Sequence, residues 1–204
     1  MSITLTFDLN DRDLEHFTKA MEAAKKAAEG KSTEEIIAAA GALLSDAQKV
    51  HVPDFIRDRL LHLDDMIAMA RDEGWAMSDA DRQRVMSALV YFADPNDVIP
   101  DNVEVLGFLD DAIMIELCVR ELQHELDAYN DFCDFRAREA DKRGIDAATV
   151  GTAEWLNNRR EELVDRMHVR RERAEGQGYG ASSGYASRQR SYVRAWRPGI
   201  FKTR

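Results

Sequence analysis

Asp97, Asp101, Asp110 and Asp111 place four carboxylates in one short stretch of the chain. Carboxylate oxygens suit Mg²⁺ or Mn²⁺, and an ion held by several of them activates water for hydrolysis. His62, on the flank of a helical apolar stripe, would be the accompanying base. The first chemistry to weigh is therefore that of a metal-dependent hydrolase. The surrounding patterns do not reinforce it. Asp94 and Asn96 begin like a Ca²⁺ loop, but Val98 and the missing glycine end the match. The five histidines, His16, His51, His62, His124 and His168, show no metal-ligand spacing. There is no phosphate-binding glycine loop and no nucleophile elbow. No residue is assigned a catalytic role, and neither metal nor cofactor is expected.

The same residues also make a folding device. Pro95 and Pro100 stiffen a join between helices, and Asp97 and Asp101 cap helix starts. Gly107 admits close backbone approach, and Arg120 neutralises a buried carboxylate. The two adjacent aspartates are expected to differ. At 100° per residue Asp111 shares a face with Ile115 and Leu122, so it points inward and needs a partner. Backbone N–H groups, Arg57, Arg84 or Arg120 are the candidates. Asp110 is expected to point away into solvent.

Around this stretch the chain reads as all-α, a single bundle of about six helices. Asn10 caps a helix to about Glu29, with Leu14, Phe17, Met21, Ala24 and Ala28 as its apolar stripe. Ser32 and Glu35 form a capping box for a second helix burying Ile36, Ala40, Leu43, Ala47 and Val50. Pro53 opens a third, with Ile56, Leu60, Leu63, Ile67 and Ala70 inward and Gly74 at its end. A fourth starts near Ser78 and buries Val85, Leu89 and Phe92. One long helix is expected over about 106–143, its seam running Phe108, Ala112, Ile115, Val119, Leu122, Leu126, Tyr129 and Cys133. Leu109, Ile113 and Leu117 line the opposite side of its first turns. Gly144 ends it. The last helix spans about 152–175, with Trp155, Leu156, Leu163 and Met167 as contacts.

This helical domain of residues 1–175 begins with an arm and is followed by a tail. Residues 3–9 alternate apolar and polar like a strand. They are expected either to pack as a short extended arm or to pair with a second copy, giving a homodimer. Residues 176–204 are rich in Gly, Ser, Arg and Tyr, a flexible tail expected to be disordered or docked on a partner. Arg188, Arg190, Tyr192, Arg194, Trp196 and Arg197 are its candidate contacts, since aromatics stack on bases while arginines meet phosphates.

The charge is unevenly spread. Nine Lys/Arg against two Glu give residues 170–204 a charge of +7, so the total of -10 leaves -17 on the rest. Nucleic acid or an anionic membrane surface would thus be met through the tail, not the body. Four prolines and 8% aromatics favour helix over strand. Cys118 and Cys133 belong to no partner motif, the pattern of a reducing compartment. The chain opens without the basic-then-apolar pattern of a leader, and no apolar run approaches the ~20 residues of a membrane span. A cytoplasmic location, or one peripheral to a membrane, is expected.

The ordered motif Tyr91, Pro95, Asp97, Ile99, Pro100, Asp101, Gly107, Asp110, Asp111 and Arg120 resembles the bacterial YkvA-like domain of unknown function. The resemblance covers about 91–120, with a weaker likeness at the opening TFDLNDRDLEHF. Glu104 stands where that family has a second proline, and Asn102 where an apolar residue is common. The resemblance implies a compact helical unit and supplies no activity. Some members are regarded as membrane-associated, but Glu116 inside the apolar run and the acidic body argue against embedding here. A non-enzymatic interaction or scaffold module with a protein partner is the expected function. The metal-dependent hydrolase and the nucleic-acid or membrane-binding tail are its alternatives.

Overall fold

The computed structural model describes residues 10–50, 52–93 and 108–175. Over these residues the chain is all-α, without strands. Its elements are α1 (Asp11–Ala27), α2 (Thr33–Ala47), α3 (Asp54–Arg71), α4 (Asp79–Leu89), a 3-10 turn (Val90–Ala93), α5 (Leu109–Glu121), α6 (Gln123–Arg143), a second 3-10 turn (Ala147–Thr149) and α7 (Glu154–Glu175). The arm at 3–9, the join from 94 to 107 and the tail lie outside the described residues.

Helix starts follow the capping chemistry in the sequence. Asn10 accepts from the N–H groups of Arg12 and Asp13, and Asp13 returns a bond to the Asn10 N–H. Ser32 and Glu35 form the reciprocal box of α2. Ser78 accepts from the Asp81 N–H at the start of α4. At the far end of α6, Gly144 adopts φ +66°, the left-handed conformation that closes a helix without a Cβ penalty.

Helix α3 is the centre of the bundle. Every residue from 63 to 70 is buried, because α2, α4, α5 and α6 all pack on it. Its expected stripe is all inside, and so are Asp64 and Asp65. Helix α6 packs along α7, and α1 and α2 pack on the first 3-10 turn. Lys31 donates to the Ala93 carbonyl at 2.7 Å, fastening the α1–α2 connection to that turn.

Three expectations need correction. Leu14 is exposed, since the principal described neighbour of α1 is a turn of only four residues, too short to cover the whole helix. In α2 the fully buried leucine is Leu44, with Leu43 only partly covered, and Val50 lies exposed beyond the helix end at Ala47. The long helix is two helices jointed at Leu122, so the described residues hold seven α-helices where about six were expected. No proline or glycine causes the break. Arg84 donates to the Glu121 carbonyl at 3.4 Å, occupying an acceptor in the last turn of α5. The break also lets α5 lie on α3 while α6 turns toward α7. The expected seam survives it, with all eight residues buried.

The α3–α4 connection is closely packed around Gly74. A Cβ on Gly74 would meet the Gly151 carbonyl oxygen at 2.6 Å, with Arg136 Nη1 and Asp72 Oδ1 at 3.1 Å. Because the nearest obstacle is backbone, Gly74→Ala is expected to cost about 1–3 kcal/mol. Urea denaturation checks this; an unchanged midpoint would show that the Gly151 loop yields freely.

Candidate functional site

Of the motif residues, Tyr91, Asp110, Asp111 and Arg120 fall within the described structure, while Pro95, Asp97, Pro100, Asp101 and Gly107 lie outside it. The tail candidates from Arg188 to Arg197 also lie outside. Tyr91 is buried in the first 3-10 turn, edge-on to Phe92. Asp111 is buried, as its place on the seam face requires. Asp110, expected in solvent, is buried too, at 2% exposure. Its row continues through Met114 and Cys118, both buried, and the Cys118 thiol lies 3.6 Å from the Ala88 carbonyl of α4. Helix α5 is thus covered on the seam face and on the adjoining Asp110 face, while Leu109, Ile113 and Leu117 on the opposite side are only partly covered. Arg120 does not neutralise a buried carboxylate. It is exposed and pairs with Glu116 one turn earlier, at 3.3 Å. Arg57 reaches Asp54 and Arg84 reaches Glu125. His62 is half-exposed, 4.0 Å from Asp65.

The ionic chemistry that the described residues bring together lies at two joints that sequence reasoning missed. At the first, Asp72 sits between α3 and α4 with its carboxylate fully engaged. Arg136 of α6 grips it with both terminal nitrogens, at 2.9 and 2.7 Å. The Tyr129 hydroxyl donates to Oδ2 and the Gly74 N–H to Oδ1, each at 2.9 Å. Arg136 is 1% exposed and Asp72 6%. Burial would lower the Arg136 pKa, but the Asp72 hydrogen bonds together with the charge interactions of Cys133, Asp72 and Tyr129 outweigh it and hold the guanidinium charged. Burial, then Cys133 and Asp72, push the Tyr129 pKa up, so the phenol stays a donor. Trp75 packs on Tyr129 and Phe132, and Arg136 lies 5.0 Å over the Phe132 ring. Arg160 of α7 reaches the Gly74 carbonyl at 3.4 Å.

At the second joint, Asp81 of α4 accepts from Ser78 at 2.7 Å and from Arg171 of α7 at 2.8 Å. His168 Nε2 lies 3.0 and 3.2 Å from its two oxygens. Arg171 also donates to Glu125 of α6 at 3.0 Å, and Arg84 meets the same oxygen at 3.2 Å. Two buried carboxylates therefore face two arginines. Burial raises the Asp81 pKa, but Arg171, then Ser78 and His168, overcome it and the net shift is downward. A carboxylate held below its ordinary range is a poor base near neutral pH, so this joint is built to fasten rather than to move protons.

The lowered pKa fixes a pH dependence. Asp81 contributes stability that is present above its unfolded pKa, about 3.9, and is lost as pH falls through the lower folded value. Unfolding free energy measured from pH 6 downward is expected to fall less steeply below pH 4 in Asp81→Asn than in the natural protein. Parallel curves would refute a linked Asp81.

The missed residues left a faint signal. Arg136 and Ala140 continue the seam beyond Cys133 by steps of three and four, so a charged residue stands where the pattern calls for an apolar one. Glu125 lies three residues past Leu122 and adjoins Leu126. Asp81 is the third residue after the cap Ser78. Asp72 gives no periodic signal, because it lies in a connection.

Among the described residues, no group of three or more His, Cys, Asp or Glu is placed to hold a metal ion. No described helix is long and apolar enough to cross a membrane. Residues 84–117 match the model of a family described as a protein of unknown function, DUF1232, consistent with the YkvA-like resemblance of the motif. No curated protein and no solved structure matches the chain.

Proposed function

We propose that this chain is a non-enzymatic interaction or scaffold module, organised as a helical domain over 1–175 and a basic tail over 176–204. One observation supports this reading best. Asp72, Asp81 and Glu125, buried carboxylates of the kind an active site would use, each clasp an arginine from another helix. They hold α4, α6, α7 and the α3–α4 connection in fixed register. Rigid frames of this kind present surfaces. The buried free cysteines fit a reducing, cytoplasmic setting, with the Cys118 thiol pushed up to about 12, chiefly by burial. The test is co-purification from the native host followed by reconstitution from purified components. A complex of fixed stoichiometry, formed equally well with chelator present, supports the module. Mg²⁺- or Mn²⁺-dependent hydrolysis that disappears in a folded Asp101→Ala variant establishes the hydrolase instead.

A second reading rests on the end of α7, where Val169, Arg170 and Arg173 are exposed just before the basic tail begins. The basic residues at this end run on in sequence into the basic tail, and together they would make a cationic arm suited to nucleic acid or an anionic membrane surface. Binding to single-stranded RNA and to phosphatidylserine vesicles is to be compared for the full chain and a chain ending at 175. Salt-sensitive binding lost on truncation supports the arm; equal binding by both excludes it.

A further inference from the structure

We propose that one water molecule is built into the joint between α4, α6 and α7, held by Glu125 Oε2. Glu125 is 2% exposed. Its Oε1 carries both arginines, from Arg84 at 3.2 Å and Arg171 at 3.0 Å, whereas its buried Oε2 accepts no hydrogen bond from the protein. A buried carboxylate oxygen left so is costly, and native interiors meet such atoms with protein donors or ordered water.

Glu125 also lines a cavity of about 10 Å³, together with Asp81, Ser78, Trp75, Val164 and Met167. That volume is close to the roughly 10–15 Å³ that one water centre requires. The lining supplies the two to four polar partners a buried water needs: Glu125, Asp81 and the remaining lone pair of the Ser78 oxygen as acceptors, and the Trp75 indole as donor. An apolar occupant would leave Oε2 unmet. A cation is disfavoured by charge, because Asp81 and Glu125 are already balanced by Arg84 and Arg171. The neutral donor that fits both the volume and the oxygen is water. Bound there, it completes the carboxylate that links α6 to α4 and α7.

A crystal structure of the full chain, paired with magnetic relaxation dispersion in solution, tests this. The expected result is a density peak within hydrogen-bond distance of Glu125 Oε2 and a long-lived water in solution. Val164→Ile, which adds a methylene to the lining, is expected to remove both. Rubidium-soaked crystals separate water from a cation. An anomalous peak in the cavity, or a cavity without density in the natural protein, overturns the proposal; it does so whether or not the variant folds.

Discussion

Asp72→Ala is expected to lower the free energy of unfolding by about 3–5 kcal/mol, the usual cost of removing one partner from a buried ion pair. The substitution strands Arg136, a guanidinium at 1% exposure, and at the same time orphans the Tyr129 hydroxyl and the Gly74 N–H. Each of these groups then stays buried without its acceptor or must break the surrounding packing to reach water. Since a domain of this kind holds about 5–15 kcal/mol in total, the variant is expected near the edge of folding at 37 °C. Urea denaturation of Asp72→Ala, Arg136→Met and the double variant measures the effect. The double variant is expected to lose less than the sum of the singles, by about 0.5–3 kcal/mol, because the two groups share one interaction. Strict additivity would mean that the pair acts independently despite its bidentate geometry.

This joint also shows where sequence reading reaches its limit. Helix starts were legible because capping is local: Asn10, Ser32 and Ser78 each act within three residues of themselves. Most apolar faces were legible because burial follows the helical period. The break at Leu122 was not, since no proline or glycine marks it and the Arg84 contact on the Glu121 carbonyl comes from 37 residues away in sequence. The burial of Asp110 was not, since one helix's periodicity does not say how many neighbours will cover it. The two ionic joints escaped for a related reason. Asp72 and Arg136 are 64 residues apart, and Asp81 and Arg171 are 90 apart. A charged residue on an apolar seam announces that it needs a partner, but not where the partner lies. The motif at 91–120 drew attention because it is dense, yet within the described residues the ion pairs that bind helix to helix lie largely beside it. The motif and the joints are complementary: α5, packed on α3, carries two buried aspartates, while Arg136 of α6 and Arg171 of α7 lock the rest of the frame.

Trp75→Ala is expected to cost about 3–5 kcal/mol, the range for removing a large aromatic from a packed core. Trp75 is 2% exposed and lies in the connection between α3 and α4, three residues after Asp72. Its ring contacts Tyr129 at 5.9 Å and Phe132 at 5.2 Å between centroids, so it couples that connection to α6. Tyr129 in turn donates to Asp72, and Phe132 lies beneath the Arg136 guanidinium. Removing the indole therefore takes away packing from the residues that present the ion pair, as well as its own buried area. The loss cannot be absorbed by collapse alone, because Tyr129 and Arg136 are held by their hydrogen bonds to Asp72 and cannot tilt into the space without losing them. Trp75→Phe keeps a ring against Tyr129 and Phe132 and is expected to lose clearly less. If the two variants unfold at the same denaturant concentration, ring contact is not what Trp75 contributes. A further consequence follows for coupling. Asp72→Ala and Trp75→Ala act on the same set of α6 side chains, so their combined cost is expected to fall short of the sum, whereas Trp75→Ala and Ser32→Ala, on separate parts of the bundle, are expected to add.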